Sequence, residues 1–146
     1  MKVSDILRER PPRLVSLPPS ATPVEAATLM SAENVGAVLV RDDRDRLLGV
    51  LSERNLALAI AACGARLFRI RIGELMAVTR PTAAPGDAIR DVMRVMTERR
   101  ARHIPVLDGE TLVGVVSVGD LLKARLAEKI EEVAVLQDLA RVAMRR

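Results

Sequence analysis

Two short stretches of this sequence combine residue types at the spacing of a binding site. One is Ser117-Val-Gly-Asp120, which follows the apolar run Val113-Gly-Val-Val116. The other is Ser52-Glu-Arg-Asn55, which follows Leu48-Gly-Val-Leu51. β-Branched residues favour a pleated surface. A Ser followed three residues later by a carboxylate or amide marks a helix start. Each stretch therefore reads as a strand that turns abruptly into a helix. Both lie at one offset, because 117 − 52 = 120 − 55 = 65. The chemistry open to such a corner is polar recognition. Backbone N–H groups at a helix start attract anions. The Ser hydroxyl donates and accepts, and a carboxylate accepts at two oxygens. A carboxylate can hold both hydroxyls of a vicinal diol such as a ribose, so the set suits a nucleotide. For a single corner, a plain helix cap is the competing reading. Two corners at matched positions in a duplicated unit point instead to a shared central cleft.

The elements that must position these corners also occur twice. Val3 to Leu7 reads as a short helical turn, broken by Pro11-Pro12 and followed by an extended piece from Arg13 to Leu17. Thr22 and Pro23 open a helix as its cap and first residue, and it runs to about Glu33. Val24, Ala26, Ala27, Leu29 and Met30 supply its apolar face. Gly36 to Val40 is an apolar strand, Arg41 to Arg46 a polar turn, and Leu47 to Leu51 the return strand. A helix follows from Asn55 to Ala62, with Gly64 as its stop. The series then recurs. Ile72 to Met76 echoes Val3 to Leu7, and Pro81 to Pro85 echoes the stretch ending at Pro19. Ile89, Val92, Met93, Val95 and Met96 stripe the next helix, and the Met side chains read as core filler. His103 to Leu107 and Thr111 to Val116 form a hairpin around Asp108-Gly109.

The expected fold is α/β, or α+β by another convention. Two β-α-β-β-α repeats pack sheet to sheet about a pseudo-twofold axis, since each alone is too small to bury its sheet face. The expected bounds are 1–66, 67–127 and a helical extension over 128–146 that continues the last helix. That tail lacks Gly and Pro, and Leu122, Leu126, Ile130, Val133, Leu136 and Ala140 recur at helical spacing. Such a stripe packs either on its own domain or on a second copy of the chain.

Composition removes several classes of function. Phe68 is the only aromatic residue, so stacking on nucleic-acid bases is unavailable. Net charge is +4 with interleaved signs, which makes nucleic acid an unlikely partner. Cys63 is the only cysteine, which excludes an internal disulfide and fits a reducing compartment. No apolar run is long enough to span a membrane and no apolar signal segment opens the chain, so a cytoplasmic protein is expected. No nucleophile–base set, phosphate-cradling glycine loop or metal cluster stands out, so neither an enzyme nor a metal site is expected. His103, the only histidine, has an equally plain reading as a hydrogen-bonded structural residue. Arg99 and Arg100 read equally as a solvated helix end.

The sequence resembles a tandem pair of cystathionine-β-synthase (CBS) domains, the Bateman module, and most of all the small stand-alone bacterial CBS-pair proteins. The residues that carry this are Val35-Gly-Ala-Val-Leu-Val40 with Leu48-Gly-Val-Leu-Ser-Glu-Arg-Asn55. In the second copy they are Arg102-His-Ile-Pro-Val106 with Val113-Gly-Val-Val-Ser-Val-Gly-Asp120. The resemblance implies no catalysis, no required cofactor, a homodimer, and an adenosine-containing ligand such as AMP, ADP, ATP, NAD or S-adenosylmethionine between the repeats. Carried over residue by residue, it makes Asp120 the ribose ligand, with Ser117 near ribose or phosphate and Val15 and Ser16 contributed by the opposite repeat. The related site would use Ser52, Asn55 and Thr82. Adenine would lie against Ala37, Val38, Ile104 and Pro105, and phosphates would meet Arg102, His103 and Arg54. Asn55 departs from the family, which usually has Asp there. A neutral amide binds a diol more weakly than a carboxylate, so this site is expected to be weaker, empty or altered in ligand choice. A ligand-free dimerisation module remains the alternative.

Overall fold

The computed structural model describes residues 1–10, 14–78 and 81–145. The Pro11-Pro12 break, Arg13 and Arg146 thus lie outside the described residues. The elements run α1 (Val3–Glu9), β1 (Ser16–Leu17), α2 (Pro23–Glu33), β2 (Ala37–Arg41), β3 (Leu47–Ser52), α3 (Glu53–Cys63), α4 (Ile89–Arg99), β4 (His103–Asp108), β5 (Thr111–Ser117) and α5 (Val118–Met144). Short 3₁₀ turns cover Gly64–Arg69 and Ile72–Glu74. The expected mixed fold of two small sheets is therefore present.

Local chemistry accounts for most boundaries. The Thr22 hydroxyl accepts from the Glu25 N–H at 3.1 Å, and Pro23 follows at the first helical position. α2 ends at Asn34, in the left-handed region at φ 53°. The second hairpin turns through Gly109, whose φ of 63° a side chain would resist. In the first sheet β1 pairs with β2 in parallel and β3 with β2 antiparallel. In the second sheet β4 and β5 form an antiparallel pair. The leading strand of that repeat is reduced to one parallel bridge, Ala83 to Val106. Pro81 and Pro85 bracket it, and a proline nitrogen cannot donate to a ladder.

Each repeat has its own core, and each core takes one residue from the segment leading into the other repeat. Ala26, Met30, Val38, Val40 and Leu51 enclose Ile72 in the first. Ile89, Val92, Met96, Ile104, Val116 and Leu121 enclose Val3 in the second. The exchange is symmetric down to its hydrogen bonds. Val3 N–H donates to Asp87 O and Ser4 N–H to Pro85 O, both at 2.9 Å. Ile72 N–H donates to Ala21 O at 2.9 Å and Gly73 N–H to Pro19 O at 3.0 Å. The acceptors are 66 residues apart in both cases. The exchange ties the repeats together and fixes the clefts between them.

α5 behaves differently along its length. Leu121 is buried, Ala124 packs on the second core, and Glu128 pairs with the N-terminal amine at 3.1 Å. From Lys129 to Arg145 every residue is exposed. Packing on its own domain therefore accounts for the helix only as far as Glu128. No helix among the described residues is long and apolar enough to cross a membrane.

Candidate functional site

Two clefts lie between the repeats, and each holds one of the corners singled out in the sequence. The corners are built alike. β5 runs into α5 at Ser117, and β3 runs into α3 at Ser52. The Ser117 hydroxyl accepts from Asp120 N–H at 3.1 Å, while Asp120 Oδ2 accepts from Ser117 N–H at 2.9 Å. The Ser52 hydroxyl accepts from Asn55 N–H at 3.2 Å, while Asn55 Oδ1 accepts from Ser52 N–H at 2.9 Å. The helix-cap reading is thus correct for both corners, and what matters is which polar atoms capping leaves over.

Those remainders differ. At the first corner Asp120 Oδ1 stays outside the cap. Among the described residues its one ion-pair partner is Arg10 at 3.5 Å, a guanidinium 81% exposed that weakly holds it. The Ser117 hydroxyl proton is uncommitted among the described residues. At Asn55 the single carbonyl oxygen takes a second bond, from the Ser52 hydroxyl at 2.9 Å. Its acceptor is consumed and only its N–H₂ donors remain. One corner offers a carboxylate oxygen and a hydroxyl, the other an amide donor.

The smaller cleft, of ≈ 250 Å³, contains Ser117 and Asp120. Val15, Ala37, Val38, Leu39, Val50 and Val115 give it apolar walls, and Ile6, Leu7 and Arg10 close one side. The larger, of ≈ 940 Å³, contains Ser52, Asn55, Glu53, Arg54, Arg99, Arg100 and Arg102. His103 borders both. Its ring lies on the backbone of Gly36: a methyl at that glycine would sit 3.1 Å from His103 Cε1 and 3.2 Å from Nε2. Burial lowers the pKa of His103 below its ordinary value of 6.5, and Arg102 adds to this, while Glu53 and Asp120 pull it back up.

The residues expected from sequence divide accordingly. Ser117, Asp120, His103, Val15, Ala37 and Val38 meet in the smaller cleft. Ser52, Asn55, Arg54, Arg102 and His103 meet in the larger. Four line neither. Ile104 and Pro105 are less than 2% exposed, with Ile104 pointing into the second core. Strand side chains alternate, so Val15 faces the cleft and Ser16 does not. Thr82 is exposed, and Pro81 stands at the wall in its place. Sequence reasoning missed Ile6, Leu7 and Arg10, which reach the smaller cleft only because α1 crosses to the second repeat. The available signal was the echo between Val3–Leu7 and Ile72–Met76, which marks the crossing segments as a pair.

A CBS-domain profile matches residues 3–62 and again 72–127. The chain belongs to the CBS-domain family. As a CBS pair it is 33% identical over 109 residues to the CBS domain-containing protein YhcV of Bacillus subtilis, covering 75% of this chain and 76% of that one. It is similar to the crystal structure of the CBS-domain protein ATU1752 from Agrobacterium tumefaciens, with a TM-score of 0.83 and 32% identity. That match covers 86% of this chain and 99% of the other. CBSX2, solved in complex with AMP, shares the fold at a TM-score of 0.71 and 24% identity, over 88% of this chain and 98% of that one. CBS pairs are in general regulatory modules.

Proposed function

We propose that this CBS pair is a non-catalytic regulatory sensor of an adenosine-containing ligand (AMP, ADP, ATP or NAD), held at the Ser117–Asp120 corner. The observation that carries this is Asp120 Oδ1, a carboxylate oxygen outside the cap at a narrow, apolar-walled cleft. A ribose diol donates two hydroxyl bonds to such an acceptor, and bonds to a charged group are about twice as strong as neutral ones. The purine lies along Val15, Ala37 and Val38. The 5′ phosphates leave toward the mouth, where Arg10 exchanges its exposed contact with Asp120 for a phosphate. CBSX2, alike in fold, makes AMP the first ligand to try. A thermal-shift panel of AMP, ADP, ATP, NAD and S-adenosylmethionine tests the proposal. Ligand at 100 times its Kd stabilises by about 2.7 kcal/mol, several degrees in Tm. A flat response to every adenosine compound supports the ligand-free dimerisation module instead.

The α5 tail supports a homodimer. Leu126, Ile130, Val133, Leu136, Leu139 and Val142 are each more than half exposed, on a helix whose described residues are all exposed beyond Glu128. A second copy of the same helix covers that face. Light scattering gives dimer mass for the full chain and monomer mass after truncation at 128; a monomeric full chain refutes it. The lone Cys63 suits a reducing compartment such as the cytoplasm.

A further inference from the structure

We infer that His103 is a proton switch in the partition between the two clefts: it senses charge on both sides, and its protonation tightens the hold on an anionic nucleotide in the smaller one. Three residues, Gly36, Val50 and His103, line both clefts, and His103 is the one of the three that titrates. The duplication marks the ring as an addition. His103 faces Ser117 across the β4–β5 ladder as Ala37 faces Ser52 across β2–β3. Where the first repeat has a methyl group, the second has an imidazole, laid against Gly36 of the first repeat.

A histidine kept only for structure satisfies its ring nitrogens by hydrogen bonding. The half-buried ring of His103 makes no hydrogen bond to any described residue. Its nitrogens are left for what enters the clefts, and there a neutral imidazole offers one donor where an imidazolium offers two. Charged groups approach from every element around it. Glu53 and Arg54 stand at the start of α3, and Asp120 at the start of α5. Arg99, Arg100 and Arg102 line the larger cleft between α4 and β4, and Arg10 the smaller. Burial disfavours the proton, Glu53 and Asp120 favour it from opposite clefts, and Arg102 disfavours it. The ring therefore gains its proton below pH 6.5. A nucleotide phosphate nearby favours the imidazolium, so binding takes up a proton. By reciprocity, acid then strengthens binding.

The nucleotide rests on the adenosine reading, but the shared ring is testable without one. NMR titration of the unliganded chain at low salt gives the midpoint of His103. Glu53→Gln and Asp120→Asn each remove a carboxylate from a different cleft. Each is expected to lower that midpoint by about 0.3 pH units or more. A shift in one variant alone, or in neither, overturns the shared switch. Calorimetry with AMP then compares wild type with His103→Gln at about pH 7.5 and about pH 5.5, so that the titration of the phosphate itself cancels. The wild-type advantage in Kd is expected to grow about fivefold or more toward the lower pH, with melting curves to show that the variant is folded. An advantage that stays within twofold overturns the inference. Absence of AMP binding to the wild type refutes the adenosine reading and the tightening with it, while the two carboxylate variants still decide whether one ring serves both clefts.

Discussion

The substitution Asp120→Asn isolates the atom on which nucleoside recognition is proposed to depend. The chain already contains the outcome at its other corner. Asn55 keeps its helix capped through the Ser52 N–H and hydroxyl, at 2.9 Å each. An asparagine at 120 is expected to settle the same way, with its oxygen on Ser117 and its amide N–H₂ turned to the cleft. Folding stability therefore changes little, within about 1 kcal/mol. Binding changes more. Hydrogen bonds to a charged group contribute roughly 1.5–3 kcal/mol and neutral ones about 0.5–1.5. Replacing two of the former by two of the latter loses about 2–3 kcal/mol, or roughly 30- to 150-fold in Kd. Calorimetry with AMP on both proteins reads this directly, with melting curves to show that the variant is folded. The reciprocal change, Asn55→Asp, frees an acceptor at the other corner and is expected to add a weak second AMP site. An Asp120→Asn protein that melts normally and binds AMP within threefold of wild type refutes the reasoning.

Three further outcomes follow from the packing and electrostatics. His103 is the only histidine, so its ring resonances titrate without overlap in an NMR spectrum. Burial places its midpoint below 6.5, and a midpoint at or above that value contradicts the buried site. Since the unfolded chain takes up this proton first, the stability it contributes is complete above pH 6.5 and falls as pH drops through the folded pKa. His103→Gln removes that part of the pH dependence in denaturant titrations, and an unchanged profile counts against it. Ile72→Ala costs about 2–5 kcal/mol and speeds hydrogen exchange in β2 and β3 ahead of β4 and β5, because Ile72 is core to the first repeat. Faster exchange in the second sheet alone opposes the crossed packing. Gly49→Ala places a methyl 2.6 Å from Met76 Sδ and 3.0 Å from Ala77 O, against the Val50–Ala77 backbone pair. A loss of about 1–3 kcal/mol in chemical denaturation is expected, and an unchanged midpoint speaks against that contact.

The duplicated fold was legible because the two repeats print the same order of caps, strands and glycines. Thr22-Pro23, Ser52 and Ser117 fix helix starts by local hydrogen bonding alone, and local chemistry shows in sequence. Crossing of the lead-in segments did not show. Val3 and Ile72 are ordinary apolar residues, and which core receives them depends on partners 80–118 and 21–51 residues away. Arg10 was invisible for the same reason. The resemblance sets Ile104 and Pro105 beside a purine, but both are buried: Ile104 points into the second core, and Pro105, on the opposite face of β4, is covered as well. The inequality of the corners was half legible. An amide in place of a carboxylate at 55 could be read, while its second bond to the Ser52 hydroxyl depends on the folded geometry of the corner.

A crystal structure of the chain grown with AMP tests the central claim most directly. The account requires both ribose hydroxyls within hydrogen-bond distance of the Asp120 carboxylate, with the purine against Val15 and Ala37. AMP seated elsewhere, with Asp120 still bonded only to Ser117 and Arg10, contradicts it.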